Sequence, residues 1–332
     1  MKLNGIDILA CPLCKSELKI RVLRCAGDDI LKGTLRCPIC GNKYEIKYGI
    51  PRLIPYKVLK KRLYNIINRY YDVYAPVYDY RLSNPEIEYV RNVEREIILS
   101  TVPKGIVLDI GCGTGAQTLL LASLGCRVFA LDISMNMLLE TLRKARALNL
   151  VNNIELIQAS ADYLPFKNAS FDRVYSLFGT LNHVPAYISC FTQIHDILKA
   201  GGKLLISIQN LYKYQLIWWI NFILYGRKSI GYRKSLHQRT CFFPVIRDKR
   251  GRRHRTWTRL FSYSEIKKIL QDVGFRDVKI GSLLIFVRPR FKHSPERNLQ
   301  GIKKLFALAE DIVRWIPPFN RLGVYLIVLA NR

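Results

Sequence analysis

Acidic residues are scarce in this chain. Asp and Glu total 25 against 53 Lys and Arg in 332 residues, a formal net charge of +28. Long apolar runs are missing too. The longest, Tyr214–Tyr225, spans twelve residues and carries Gln215 and Asn221, whereas a membrane-spanning helix needs about 20. A simple transmembrane helix is therefore not expected, although peripheral contact with a bilayer surface stays open. Met1–Ala10 contains Asp7 and no extended apolar stretch, so no secretory signal is expected there. Five of the nine cysteines are scattered (Cys25, Cys112, Cys126, Cys190 and Cys241), which suits a reducing cytoplasm.

Apolar residues are plentiful at 49%, and the charged fraction of 23% is ordinary, so the chain can bury a core and is not disordered. The positive charge is localised. Residues 101–200 hold 8 Lys/Arg and 7 Asp/Glu, while residues 209–300 hold 21 and 5. Such clustering reads as a surface for phosphates or an acidic partner.

The other four cysteines form two knuckles, Cys11-Pro-Leu-Cys14 and Cys37-Pro-Ile-Cys40, with 22 residues between them. Four thiolates at this spacing suit a tetrahedral zinc with no vacant position, hence a structural metal. Leu18–Leu23 and Leu31–Arg36 alternate as short strands. With Tyr44-Glu45-Ile46 and Gly49-Ile50-Pro51, the knuckles resemble the small zinc-ribbon proteins that activate RNA and protein methyltransferases; a related ribbon precedes the bacterial 23S rRNA guanine-N1 methyltransferase.

From Gly105 the chain alternates strand and helix, which implies a doubly wound parallel α/β sheet. Leu108-Asp109-Ile110-Gly111-Cys112-Gly113-Thr114-Gly115 sits at a strand-to-helix turn, where glycines let a ligand approach the backbone. Asp132 follows 19 residues after Gly113, placed to accept from two ribose hydroxyls. Gly111, Gly113 and Ala116 also satisfy a dinucleotide fingerprint. Against that reading stand Asp109, able to catch the amino group of a methionine moiety, Asp162 in Ala161–Phe166, and the runs Ser170–Tyr175 and Leu198–Leu204.

Together these motifs resemble class I S-adenosylmethionine-dependent methyltransferases, in the group that includes the ubiquinone and menaquinone biosynthesis enzymes. The resemblance implies a Rossmann-like sheet with S-adenosylmethionine as cofactor. It places Gly111 and Gly113 at the methionine end with Asp109 nearby, Asp132 on the ribose, Ile133 against the adenine, Asp162 reading the adenine and Phe178 under the sulfonium. It also implies a lid helix carrying Tyr71, Ala75 and Tyr78 on one face. His183, after the predicted fourth strand, is the candidate base for an acceptor that carries a proton.

The expected organisation is a zinc ribbon over 1–56 and a methyltransferase domain over 57–332. The latter divides into a cofactor core (64–208), a basic aromatic insertion after strand five (209–262) and a C-terminal completion of the sheet (263–332). In the insertion, Arg247–Arg255 holds a dense run of cations, with Tyr232, Phe242, Phe243 and Trp257 interleaved. Cations could hold phosphates while rings stack on unpaired bases, so RNA is the expected partner. Trp218 and Trp219 keep a lipid or quinone acceptor open. Cys241-Phe242-Phe243-Pro244 and Arg255–Phe261 resemble the tRNA wobble-uridine methyltransferases, which esterify a carboxymethyl group and need a zinc-ribbon partner.

Overall fold

The computed structural model describes residues 1–101, 104–212, 239–242, 246–248, 250–286 and 302–332. The expected Trp218–Trp219 segment lies outside them, as do the rings of Tyr232, Phe242 and Phe243.

The N-terminal residues form a four-stranded antiparallel sheet in sequential order: β1 (Lys19–Ala26), β2 (Asp29–Arg36), β3 (Lys43–Lys47) and β4 (Ile50–Pro51). Burial alternates strictly along β3, with Tyr44 and Ile46 inward and Lys43, Glu45 and Lys47 outward, the period-two signature of a half-buried strand.

Four helices follow: α1 (Tyr56–Leu59), α2 (Arg62–Tyr74), α3 (Tyr78–Arg81) and α4 (Pro85–Ser100). The expected continuous lid helix is two pieces, because Pro76 has no amide to donate and forces a single 3-10 turn over Ala75–Val77. Helix α4 starts where Asn84 accepts from the Ile87 amide at 3.0 Å with Pro85 in its first turn.

The main sheet has seven strands: β5 (Ile106–Ile110), β6 (Arg127–Asp132), β7 (Ile154–Gln158), β8 (Phe171–Ser176), β9 (Leu198–Gln209), β14 (Arg276–Leu283) and β15 (Tyr325–Asn331), in the order β14-β15-β9-β8-β5-β6-β7. β5 to β9 run parallel, and β15 pairs antiparallel with both β9 and β14. Buried on both faces, β5 and β6 are nearly unbroken apolar runs. Flanking helices are α5 (Ala116–Ser123), α6 (Met135–Ala147), α7 (Tyr187–Ile197), α8 (Tyr263–Val273) and α9 (Ile302–Val313). Between β9 and α8 lie two short antiparallel pairs: β10 (Thr240–Phe242) with β13 (Trp257–Arg259), and β11 (Ile246–Arg247) with β12 (Arg253–His254).

The ribbon sheet docks on the β7 edge. Arg52 bridges Gln158, the Leu53 amide donates to the Gln158 carbonyl at 2.7 Å, and the Ala10 amide donates to Pro165 at 2.9 Å. Its inner side chains Leu9, Leu35, Tyr44 and Ile46 belong to one apolar cluster with Phe129, Phe166 and Phe171 of the main sheet. Among the described residues no helix is long and apolar enough to cross a membrane.

Candidate cofactor cleft and zinc centre

A cleft of roughly 930 Å³, partly open to solvent, lies at the carboxyl ends of β5, β6 and β8, in the size range of small-molecule sites. Its floor is the turn after β5. The Gly111 amide donates to the Leu131 carbonyl at 2.7 Å, and the Gly113 amide donates to Asp132 Oδ2 at 2.9 Å. Gly111 sits at φ +71, and a Cβ there would stand 2.0 Å from Thr180 Cγ2. The position therefore demands glycine on both backbone and steric grounds.

Gly111, Gly113, Asp132, Ile133, Phe178 and His183 all line this cleft. Asp109 and Asp162 are not among its lining residues. Asp109 sits buried behind the turn, where Thr118 Oγ1 donates to it at 2.6 Å. Asp162 is engaged from the lid: the Tyr64 hydroxyl of α2 donates to Oδ2, Ser160 Oγ donates to Oδ1 at 2.6 Å, and the Ala186 amide donates at 3.2 Å. Burial raises both Asp109, to about 7, and Asp132, to about 6; two amides, Ser134 N at 2.8 Å and Gly113 N, hold the Asp132 value down.

Tyr71 and Tyr78 line the cleft from either side of the Pro76 break. Helix α2 is tied over it by Asn68, which donates to the Ile133 carbonyl at 2.6 Å, and by Asp72, which accepts from Ser134 Oγ at 2.6 Å.

Phe178 is a non-glycine residue at φ +56. Its amide donates to Ser207 Oγ at 2.6 Å and to Glu94 Oε1 at 3.2 Å, its ring stacks on Tyr325 at 5.7 Å, and the Arg91 guanidinium lies 5.6 Å from the ring centroid. Arg91 also lines the cleft. Sequence reading missed Arg91, Glu94, Tyr64 and Thr180. The first two stand three apart on α4 and so share a helix face, but nothing in their spacing points to a partner 84 residues away.

His183 is half-buried, with Nδ1 2.8 Å from the Trp257 carbonyl. A carbonyl only accepts, so Nδ1 carries the proton and Nε2 the lone pair. Burial pushes the ring down to about 4, which keeps it neutral at pH 7. The neighbouring Asn182 donates to the Arg259 carbonyl and accepts from the Gln209 amide at 2.8 Å. The turn after β8 is thereby joined to β9 and to the insertion.

In the ribbon, Cys11 Sγ lies 3.5 Å from Cys40 Sγ and Cys14 Sγ lies 3.4 Å from Cys37 Sγ, with all four sulfurs within 4.8 Å of one another. A tetrahedron of thiolates about 2.3 Å from zinc has edges of about 3.8 Å, so the four sulfurs fit that ion and fill its coordination. Cys25 lies apart on β1, exposed.

Comparison with known proteins identifies the two parts of the chain. Residues 107–202 match the family model described as methyltransferase domain, and residues 5–49 match the model of Trm112p-like protein. An uncharacterized protein of Methanocaldococcus jannaschii is 34% identical over 64% of this chain and 77% of its own length. A demethylmenaquinone methyltransferase of Geobacillus stearothermophilus is 34% identical over 66% of this chain and 89% of its own. Among solved structures, a Haemonchus contortus phosphoethanolamine N-methyltransferase shares the fold at TM-score 0.53 and 20% identity, over 82% of this chain and 61% of that one. The CcbJ methyltransferase of Streptomyces caelestis does so at 0.51 and 17%, over 79% and 96%. The chain belongs to the class I S-adenosylmethionine-dependent methyltransferases and carries a Trm112p-like domain at its N-terminal end.

Proposed function

We infer that this methyltransferase acts on RNA, with tRNA the favoured substrate and a wobble-uridine carboxymethyl group one candidate acceptor. One observation carries this reading. The β11–β12 hairpin presents Arg247, Arg250, Arg252, Arg253 and Arg255 to solvent while the adjoining Trp257 carbonyl holds His183 at the cleft. Asp248 organises the hairpin tip, accepting from the Arg250 and Arg252 amides at 2.9 Å and from Arg252 Nε at 2.7 Å. The arginine forks left outward suit phosphate oxygens.

S-adenosylmethionine supplies the electrophilic methyl group. In this reading Gly111 and Gly113 hold its methionine end with Asp109 supporting the turn, Asp132 accepts from the ribose hydroxyls, Ile133 packs on the adenine, Asp162, expected to read the adenine directly, instead fixes the cleft-lining Tyr64 and Ser160 hydroxyls at the adenine end, and Phe178 lies beneath the sulfonium. Alignment of nucleophile and methyl carbon accounts for most of the acceleration in such a displacement. Nε2 of His183 takes a proton when the acceptor carries one. A carboxylate acceptor needs no base, which is compatible with a ring held near 4.

The assigned role of Asp132 predicts a pH dependence. Its carboxyl is raised to about 6, so protonation sets in as pH falls through that value and the acceptor pair for the ribose is lost. Cofactor affinity measured by calorimetry should weaken about tenfold between pH 7 and pH 5. Asp132→Asn should bind weakly at both; an affinity flat with pH in the parent protein refutes the role.

The acceptor itself is tested by incubating the protein with labelled methyl donor and fractionated cellular RNA, lipid and protein. Label in RNA, concentrated in tRNA, is the expected result. Label in the lipid fraction would favour a quinone acceptor, a reading supported by the similarity to demethylmenaquinone methyltransferases.

A further inference from the structure

The register of the ribbon sheet places like charges directly opposite one another. Lys19 on β1 pairs with Arg36 on β2, which pairs with Lys43 on β3. Further along, Arg24 pairs with Lys32, which pairs with Lys47. Between these two all-cationic rungs lies a third, Arg21, Thr34 and Glu45, whose acid meets Arg52 at 3.4 Å. All seven cations of the three rungs are exposed, and among the described residues none of them takes part in an ion pair.

Opposed residues on one sheet face stand about 5 Å apart, and like charges in that position repel. A merely basic chain would scatter its cations and place acids across from them. Here repulsion is built in twice on one face, while the opposite face, with Leu35, Tyr44 and Ile46, is buried in the core. The rungs lie four residues apart on β2 and β3, about 13 Å, and none of the nine rung residues is apolar. Beside them, at a bulge in β1, Val22 and Leu23 are the only exposed large apolar side chains of β1 to β3; seven exposed cations against two apolar groups suit a phosphate backbone better than a bilayer, which rewards side chains that dip below the headgroups.

We propose that the solvent face of the zinc ribbon is a docking surface for the phosphate backbone of the RNA substrate, separate from the arginine hairpin beside the cleft. This rests on the RNA reading above. The ribbon then both supports the fold and holds the substrate, and two linked patches engaging one polyanion bind more tightly than either alone.

The test uses the full chain with the Arg24–Lys32–Lys47 rung changed to glutamine (R24Q, K32Q, K47Q), away from the zinc ligands, and bulk tRNA as probe across a salt series. The variant should bind at least tenfold more weakly near 100 mM salt. The slope of log affinity against log salt should flatten by about 2 to 3. Zinc content should be unchanged and the melting temperature equal or higher, since repulsion has been removed; a purely structural role would lower it. A second variant with R24K alone should bind like the parent. If the glutamine variant binds tRNA as the parent does, with the same slope, while the parent methylates RNA, only this proposal fails. It fails equally if the rung is needed for binding phosphatidylglycerol vesicles and not tRNA. If the parent neither binds tRNA nor labels RNA, the RNA reading falls and this proposal with it.

Discussion

Withdrawing zinc from the four-cysteine site is expected to weaken cofactor binding at least tenfold, although none of those four cysteines lines the cleft. The route is mechanical. Four sulfurs hold the knuckles that turn the chain into and out of the ribbon sheet. A unit this small cannot bury enough surface to fold alone, so a zinc ion held by the four thiolates would supply folding free energy directly. Its inner side chains are continuous with the core around Phe129 and Phe166, and β4 leads through Leu53 along the β7 edge into α1 and α2. Helix α2 in turn supplies Tyr64, Ile67 and Tyr71 to the cleft wall. Loss of the ribbon therefore frees the segment that closes over the site. Chelation under reducing conditions should lower the melting temperature by about 10 °C or more, and calorimetry should show the weakened affinity, with both restored by added zinc. Cys37→Ser should behave like the chelated protein. Unchanged affinity in metal-stripped protein would break the link between ribbon and cleft.

The parts of this architecture legible in the sequence are those encoded at short range. The two Cys-x-x-Cys knuckles specify their cluster locally. The glycine turn and Asp132 are legible because a strand, a turn and a helix recur in fixed order, and β5, β6 and β7 lie where their apolar runs place them. What escaped was set by tertiary contact. Tyr64 reaches Asp162 across 98 positions, and Glu94 reaches Ser207 across 113; no periodicity connects such pairs. The same holds for the cationic rungs, which appear only when the pairing of β1, β2 and β3 is known, since each strand alone reads as ordinary alternation. Pro76 is the exception. Its effect on the lid helix is local, and spacing by three and four concealed it because Tyr71 and Tyr78 reach the cleft in spite of the break.

Gly111→Ala is expected to abolish cofactor binding and activity to beyond a hundredfold while leaving the ribbon and its metal intact. Two costs coincide at this position. The backbone lies at φ +71, a region that costs an alanine about 1–2 kcal/mol. The added methyl would meet Thr180 Cγ2 at 2.0 Å and Oγ1 at 2.4 Å. Thr180 cannot swing aside cheaply, because its hydroxyl reaches the Gly111 and Leu177 carbonyls at 3.3 and 3.2 Å and its chain continues into His183. Relief therefore has to come from moving the turn itself, which carries the Gly113 amide away from Asp132 and opens the cleft floor. Adding Thr180→Gly removes the clash and leaves only the dihedral cost, so the double variant should recover part of the affinity, to within about tenfold of a Thr180→Gly parent. Calorimetric titration of the four proteins distinguishes the two costs. Should Gly111→Ala bind the cofactor as the parent does, the turn is not the cradle assigned here.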